Sequence, residues 1–194
     1  MQVDDKSGLF IHKYLKKTYL PESKIREYAK QIVSALSYLH DKKIMHCDIK
    51  PQNILIANGE AKLADFGSAQ IYYVEDEDTL LKHTGTVHFL APECFKQGKN
   101  TQYYSGRKAD VWAFGLCIYA LAFNRLPFPM TDSDAFDTKK FEEMSKNDLY
   151  FNKSDRQITD SMKNFLRHAL ELSPKERASI FDLVTDPWFS EEMF

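Results

Sequence analysis

The chain has little cysteine, and what it has is scattered. Its three cysteines, Cys47, Cys94 and Cys117, form no CxxC pair. That argues against a disulfide framework or a zinc site and fits a reducing compartment. Cys94 and Cys117 are expected to be buried free thiols. An excess of one charge sign is also missing: the formal net charge is -2, with acids and bases interspersed. No basic footprint for nucleic acid is present, so none is expected as a partner. The longest apolar run, residues 111–123 between Asp110 and Asn124, is too short for a bilayer. It predicts a buried core helix, and no membrane partner is expected. Residues 1–6 are polar and acidic, without the apolar stretch of a secretion leader. A cytoplasmic location is therefore expected. There is no internal repeat, low-complexity tract or interdomain linker. What is present, 43% hydrophobic and 28% charged residues in a chain of 194, suits one domain with an apolar core.

The apolar periodicity predicts a mostly helical unit. Leu9, Phe10, Tyr14 and Leu15 suggest a short amphipathic helix. Pro21 reads as a first-turn proline, and Ile25, Tyr28, Ala29, Ile32, Val33, Leu36 and Leu39 recur at helical spacing as far as Asp41. Ile54-Leu55-Ile56 and Ala61-Lys62-Leu63 read as two strands joined through Asn58-Gly59, a tight-turn pair. Residues 65–93 lack periodicity, and a loop of that length is usually functional or mobile. The run Glu75-Asp76-Glu77-Asp78 inside it reads as a solvated loop tip. Helices are expected over residues 107–123, 135–145, 158–171 and 177–185.

Two acids and an amide flank the hairpin. Asp48 and Asn53 precede it and Asp65 follows at once, so folding the hairpin draws them toward one another. Their oxygens are hard ligands of the kind magnesium takes, a few protein groups completed by phosphates and water. Taken singly, each is an ordinary turn former.

Together they carry a resemblance. His46-Cys47-Asp48-Ile49-Lys50-Pro51-Gln52-Asn53 resembles the catalytic loop of protein kinases, Asp65-Phe66-Gly67 their metal-binding triplet, and Ala91-Pro92-Glu93 the end of their activation segment. Asp110-Val111-Trp112-Ala113-Phe114-Gly115 is similar to the start of the family's buried central helix, and Arg177 falls at its late arginine. The order and spacing match throughout, so the chain resembles the C-terminal lobe of a eukaryotic-type serine/threonine protein kinase, mainly α with a small β-hairpin, over residues 1–194. Residues 110–128 and the closing Asp186-Pro187-Trp188-Phe189 look most like the calcium/calmodulin-dependent kinase group, nearest the calcium/calmodulin-dependent protein kinase kinases.

The resemblance implies transfer of the ATP γ-phosphoryl group to Ser or Thr of a protein substrate, with ATP and Mg2+ as cofactors. It gives Asp48 the substrate hydroxyl and its proton, Lys50 a charge near the transferred group, and Asn53 and Asp65 the magnesium. Thr86, after Gly85, would bond near Asp48 and Lys50; a loop hydroxyl facing water reads the same in the sequence. Leu55 would floor the adenine site, and a core strand leucine is equally compatible. Glu93 and Arg177 would form a buried ion pair, and Asp110 would accept hydrogen bonds from the catalytic-loop backbone. His46 is expected to pack and hydrogen-bond, without acting as a base.

Two departures matter. Cys47 stands where the family has the arginine that pairs with a phosphorylated activation loop, so phosphorylation at Thr79 or Thr84 is not expected to be needed for order. No glycine-rich loop, Val-Ala-x-Lys strand or partner glutamate precedes the long helix. The chain is therefore expected to start near the hinge, with residues 3–8 as hinge remnant, as a fragment that is inactive alone. The alternatives are a catalytically inert pseudokinase or docking module that binds a protein partner and, last, a small-molecule kinase. Nothing in the residues fixes the oligomeric state.

Overall fold

The computed structural model describes residues 19–73, 78–80, 85–95, 103–127, 151 and 156–190, with residues 9–10 by backbone alone. Its first helix, α1 (Glu22–Asp41), follows the expected apolar stripe: Ile25, Tyr28, Ala29, Ile32, Val33 and Leu36 are all buried. Pro21 sits one place earlier than expected, at the N-cap, with ψ 144°, and its carbonyl accepts from Lys24 and Ile25. Glu22 places a negative charge at the positive end of the helix dipole. Its carboxylate also accepts from Thr159 N–H (2.9 Å), Thr159 Oγ1 (2.6 Å) and Trp188 Nε1 (3.0 Å), tying the start of α1 to the far end of the chain.

The described residues form three small sheets. In the first, β3 (Ile54–Ala57) and β4 (Glu60–Leu63) form the expected hairpin, with Asn58 and Gly59 at φ 53° and 77°. Positive φ at both turn positions matches the twist of the strands, and Asn-Gly tolerates it at little cost. Burial alternates along β3, with Ile54 and Ile56 inside. The other edge of β3 is taken by β1 (Leu9–Phe10), antiparallel, with Leu9 opposite Ile56 and Phe10 opposite Leu55. This corrects the helix expected from Leu9 and Phe10: their partners, Ile56 and Leu55, lie far along the sequence, where local periodicity gives no signal of them. Tyr14 and Leu15 lie outside the described residues, as does the helix expected over 135–145.

The other two sheets are two-stranded: β2 (Ile44–Met45) pairs with β5 (Gln70–Ile71), and β6 (Thr79–Leu80) with β7 (Tyr104–Ser105). Both tie the long loop after Asp65 to other parts of the chain, so it carries more order than its composition suggested.

The centre of the molecule is α2 (Gly106–Phe123), in which every residue from Asp110 onward is buried. Gly115 is required there, because a Cβ would come within 2.9 Å of both Ala169 and Leu170. Those neighbours belong to or follow α3 (Asp160–Ala169), which buries Met162, Phe165, Leu166 and Ala169. Phe165 meets Phe114 edge-on at 6.1 Å and stacks near Trp188 at 4.7 Å. The last helix, α4 (Ile180–Val184), is shorter than the expected 177–185. Arg177 is held by tertiary contacts in the preceding turn, and a Ser179–Asp182 capping box sets the helix start. The described residues are helix-rich with three small sheets. Among the described residues no helix is long and apolar enough to cross a membrane.

Candidate active site

The loop between β2 and β3 is held from below by Asp110, one turn into α2. Its carboxylate accepts from the backbone N–H of His46 (2.8 Å) and Cys47 (2.9 Å) and from His40 Nε2 (3.0 Å). This buried acid thus has three donors, which offsets the cost of removing it from water. The grip also stabilises an awkward backbone: Cys47 has φ 64°, a left-handed conformation costing an L-residue about 1–2 kcal/mol. His46 is fully buried, accepting from Asp48 N–H at Nδ1 (3.3 Å) and donating from Nε2 to Ala64 O (3.2 Å). Both ring nitrogens are occupied, as expected of a packing residue.

That placement delivers Asp48 into a dense cluster. Asp48 Oδ2 accepts from Lys50 Nζ (2.7 Å) and Asn53 Nδ2 (3.1 Å). Asp48 Oδ1 accepts from the Thr86 N–H (3.0 Å) and hydroxyl (2.9 Å). Lys50 Nζ also donates to Thr86 Oγ1 (2.8 Å), closing a ring of three side chains. Burial pushes the Asp48 carboxyl up, but the hydrogen bonds from Lys50 and Thr86 and the Lys50 charge outweigh it. The net result lies below the usual carboxylate range. Gly85 makes the approach possible: it has φ +107°, and a Cβ there would lie 2.5 Å from Cys47 O and 3.2 Å from Asp48 Oδ1.

Asn53 comes from a single 3-10 turn, residues Pro51–Asn53. Its amide nitrogen also donates to Asp48 O (2.9 Å). Both Asp48 atoms are acceptors, so the NH2 group must face them and the amide oxygen points away, with no protein hydrogen bond among the described residues. The Asn53 carbonyl accepts from Ala64 N–H (2.9 Å), which sets Asn53 beside the base of β4 and one residue from Asp65. Asp65 is exposed at φ 62°, and its Oδ1 accepts only from Gly67 N–H (3.3 Å). An amide oxygen and a largely unbonded carboxylate are donors that fit magnesium. Among the described residues no group of three or more His, Cys, Asp or Glu could hold a metal alone, so phosphate oxygens and water would complete the shell. Leu55 is half-buried in β3, opposite Phe10 and Lys62.

The segment after this loop is anchored by the expected ion pair. Arg177 makes a bidentate contact with Glu93 at 2.7 and 2.9 Å, donates to Lys108 O (2.8 Å) and Glu171 O (2.8 Å), and lies over the Trp112 ring at 4.9 Å. Cys94 and Cys117 are buried free thiols, as expected; burial pushes Cys94 to about 12 and Cys117 well up.

Residues 3–189 match the family model of the protein kinase domain. The chain belongs to the protein kinase family. CBL-interacting protein kinase 5 of Oryza sativa subsp. japonica is 32% identical over 174 residues, covering 89% of this chain and 35% of its own length. Protein kinase kin1 of Schizosaccharomyces pombe is 32% identical over 170 residues, 87% of this chain and 18% of its own length. Serine/threonine-protein kinase GRIK2 of Arabidopsis thaliana is 34% identical over 175 residues, 87% of this chain and 39% of its own length. The chain thus spans 18% to 39% of the length of these three relatives.

Two functional groups escaped the sequence reading. His40, at the end of α1, is a third donor to Asp110, and only its position at the last turn of an amphipathic stripe hinted at burial. Asp78 is a correction: it was read as part of a solvated acidic tip, yet it is only 6% exposed and pairs with Arg107 Nε at 3.0 Å. Glu75, Asp76 and Glu77 lie outside the described residues.

Proposed function

We propose that this chain supplies the catalytic-loop half of a protein serine/threonine kinase, active in the complete protein. The observation that carries the reading is the ring of Asp48, Lys50 and Thr86, with Asn53 bonded to it and Asp65 one residue beyond its backbone link. Asp48 orients the substrate hydroxyl; Asn53 and Asp65 hold magnesium, Leu55 floors the adenine, and Lys50 faces the phosphates. Magnesium, when bound, neutralises phosphate charge and fixes the phosphate geometry. In the transfer, the hydroxyl oxygen bonds to the γ-phosphorus and the bond to the β–γ bridging oxygen breaks. ADP leaves with that electron pair, and the hydroxyl proton passes to Asp48.

Two features of Asp48 refine its role. With Lys50 and Thr86 bonded to it, its carboxyl is held below the usual carboxylate range, and it positions the substrate hydroxyl before taking the proton. Its oxygens already accept four hydrogen bonds, about the full capacity of a carboxylate. A substrate hydroxyl must displace one donor. Lys50 is the movable one: its three donors sit on a flexible stem, and an arriving phosphoryl group draws its ammonium away from Oδ2. Thr86 then keeps the other oxygen in place.

The subgroup resemblance to the calcium/calmodulin-dependent protein kinase kinases rests on residues 110–128 and 186–189 alone. The test is phosphorylation of a generic basic protein by the complete protein and by its Asp48→Ala variant, with labelled ATP. The expected outcome is loss of about 10²–10⁴-fold in rate. Equal labelling by the two forms would defeat the enzyme and leave the docking module.

A further inference from the structure

A cavity of about 140 Å³ lies between the end of α1, the first turn of α2 and the start of α4. Its walls include His40, Arg107, Lys108, Ser179, Ile180 and Phe181, and none of the Asp48 cluster. A void of this size takes a body about as large as a benzene ring. Ile180 and Phe181 make one wall apolar, and Phe181, 46% exposed, carries that wall out to solvent. Such a lining, mostly apolar with a few polar groups, suits a small organic ligand.

Two of the polar groups keep unused hydrogen-bonding capacity. The first is Lys108. Its ammonium donates to Arg177 O and, among the described residues, to no carboxylate. An ammonium has three donors, so two remain. Its pKa lies below the usual lysine value, chiefly because burial strips water from it, and Arg177 and Arg107 add positive charge nearby. The neighbouring acids are committed elsewhere: Asp182 to the Ser179 N–H (2.7 Å) and hydroxyl (2.7 Å), Asp78 to Arg107 Nε (3.0 Å). A partly dehydrated cation with spare donors favours an anion.

The second group is His40, whose side chain is only 1% exposed. Its Nε2 bonds the Asp110 carboxylate at 3.0 Å. With that N–H donated, the neutral ring keeps a lone pair at Nδ1, which has no hydrogen-bond partner among the described residues. The ring lines the cavity, so a ligand hydroxyl there meets an open acceptor. His40 also joins the cavity to the catalytic loop, because the carboxylate it bonds accepts from the His46 and Cys47 N–H groups (2.8 and 2.9 Å). A ligand that fixes the ring steadies Asp110, and Asp110 holds the backbone just before Asp48.

We propose that this cavity binds a small aromatic hydroxy acid, its carboxylate on Lys108, its ring against Ile180 and Phe181, and its hydroxyl donating to His40 Nδ1, and that binding tightens the grip of Asp110 on the loop before Asp48. The site stands apart from the phosphotransfer residues, and its occupancy is read without phosphotransfer, so it does not depend on the kinase reading.

The test titrates the complete protein by calorimetry with 4-hydroxyphenylacetate. Two truncated probes run beside it: phenylacetate, which lacks the hydroxyl, and 4-hydroxyphenethyl alcohol, which lacks the charge. The hydroxy acid is expected to bind with a Kd on the order of 0.1–1 mM, the range open to so small a ligand. Each truncated probe should bind about fivefold more weakly, the worth of one hydrogen bond. Lys108→Gln should erase the preference for acid over alcohol, and Phe181→Ala, at an exposed position, should weaken all three probes alike. Amide exchange at His46 and Cys47, whose N–H groups Asp110 holds, should slow about threefold in saturating hydroxy acid. Four results each overturn the proposal: no binding by the wild type, equal Kd values for the hydroxy acid and either truncated probe, an acid preference that survives Lys108→Gln, or unchanged exchange at His46 and Cys47. Should Lys108→Gln fail to fold, Phe181→Ala decides in its place, and full affinity in that variant overturns the proposal.

Discussion

Replacing Arg177 by methionine should be among the most damaging single changes outside the Asp48 cluster. The guanidinium is fully buried, with the Glu93 carboxylate about one-tenth exposed. Removing the guanidinium strands that carboxylate and takes the donor from Lys108 O and Glu171 O. Breaking a buried pair from one side costs about 3–5 kcal/mol, whereas an exposed pair is worth about 0–1 kcal/mol. Each abandoned carbonyl adds a desolvation penalty of about 1–3 kcal/mol unless water replaces the donor. Relaxation and water entry make these terms less than additive, so a loss of about 4 kcal/mol is expected. In a domain of this size that lowers the melting temperature by about 8–16 °C. Urea unfolding followed by tryptophan fluorescence reads it directly, since Trp112 lies under the guanidinium at 4.9 Å. Glu93→Gln combined with Arg177→Met should cost less than the sum of the two single changes, because neither charge is then left alone. A loss below about 1 kcal/mol for Arg177→Met, or full additivity in the pair, would refute the reasoning.

Gly85→Ala should lower the phosphotransfer rate by at least about tenfold and the melting temperature by several degrees, because the added methyl meets Cys47 O and disfavours φ +107° beside Asp48. Steady-state kinetics and a melting curve check both halves. Glu22→Gln should flatten the acid limb of the stability profile. Burial pushes the Glu22 carboxyl up, but bonds from Thr159 and Trp188 and the nearby Arg26 hold it below its usual value. Its stabilisation is therefore fully present above the unfolded carboxylate range and lost as pH falls through the folded pKa; unfolding free energies at several pH values from neutral to acid check this. Native Cys94 and Cys117, whose thiols burial pushes up, should stay unalkylated at pH 8 while half-exposed Cys47 reacts. Mass spectrometry of iodoacetamide-treated protein reads the difference.

The parts of the fold legible in the sequence were those set by neighbours along the chain. α1 was legible because Ile25 through Leu36 recur every three or four residues, and the hairpin because Asn58-Gly59 admits a turn of positive φ. The Asp48 cluster was legible because Asp48, Lys50 and Asn53 share one short loop and Asp65 comes two residues after the returning strand. Where a distant partner decided the outcome, local pattern misled. Leu9 and Phe10 have helical-looking neighbours, but a free edge of β3 recruits them as a strand. Asp78 sits in an acidic run that composition assigns to solvent, but the N-terminus of α2 and Arg107 give that one carboxylate a reason to be buried. Thr86 was ambiguous for the same reason: its hydroxyl acquires a role only once Gly85 lets the chain pass against Asp48.

A helix enclosed on every side, as α2 is from Asp110 to Phe123, presents no outer surface to adapt. Substitutions there disturb packing in several directions at once, so refinement of recognition is confined to the segments suspended from it. The sealed rod works as the fixed bench on which interchangeable fittings are mounted.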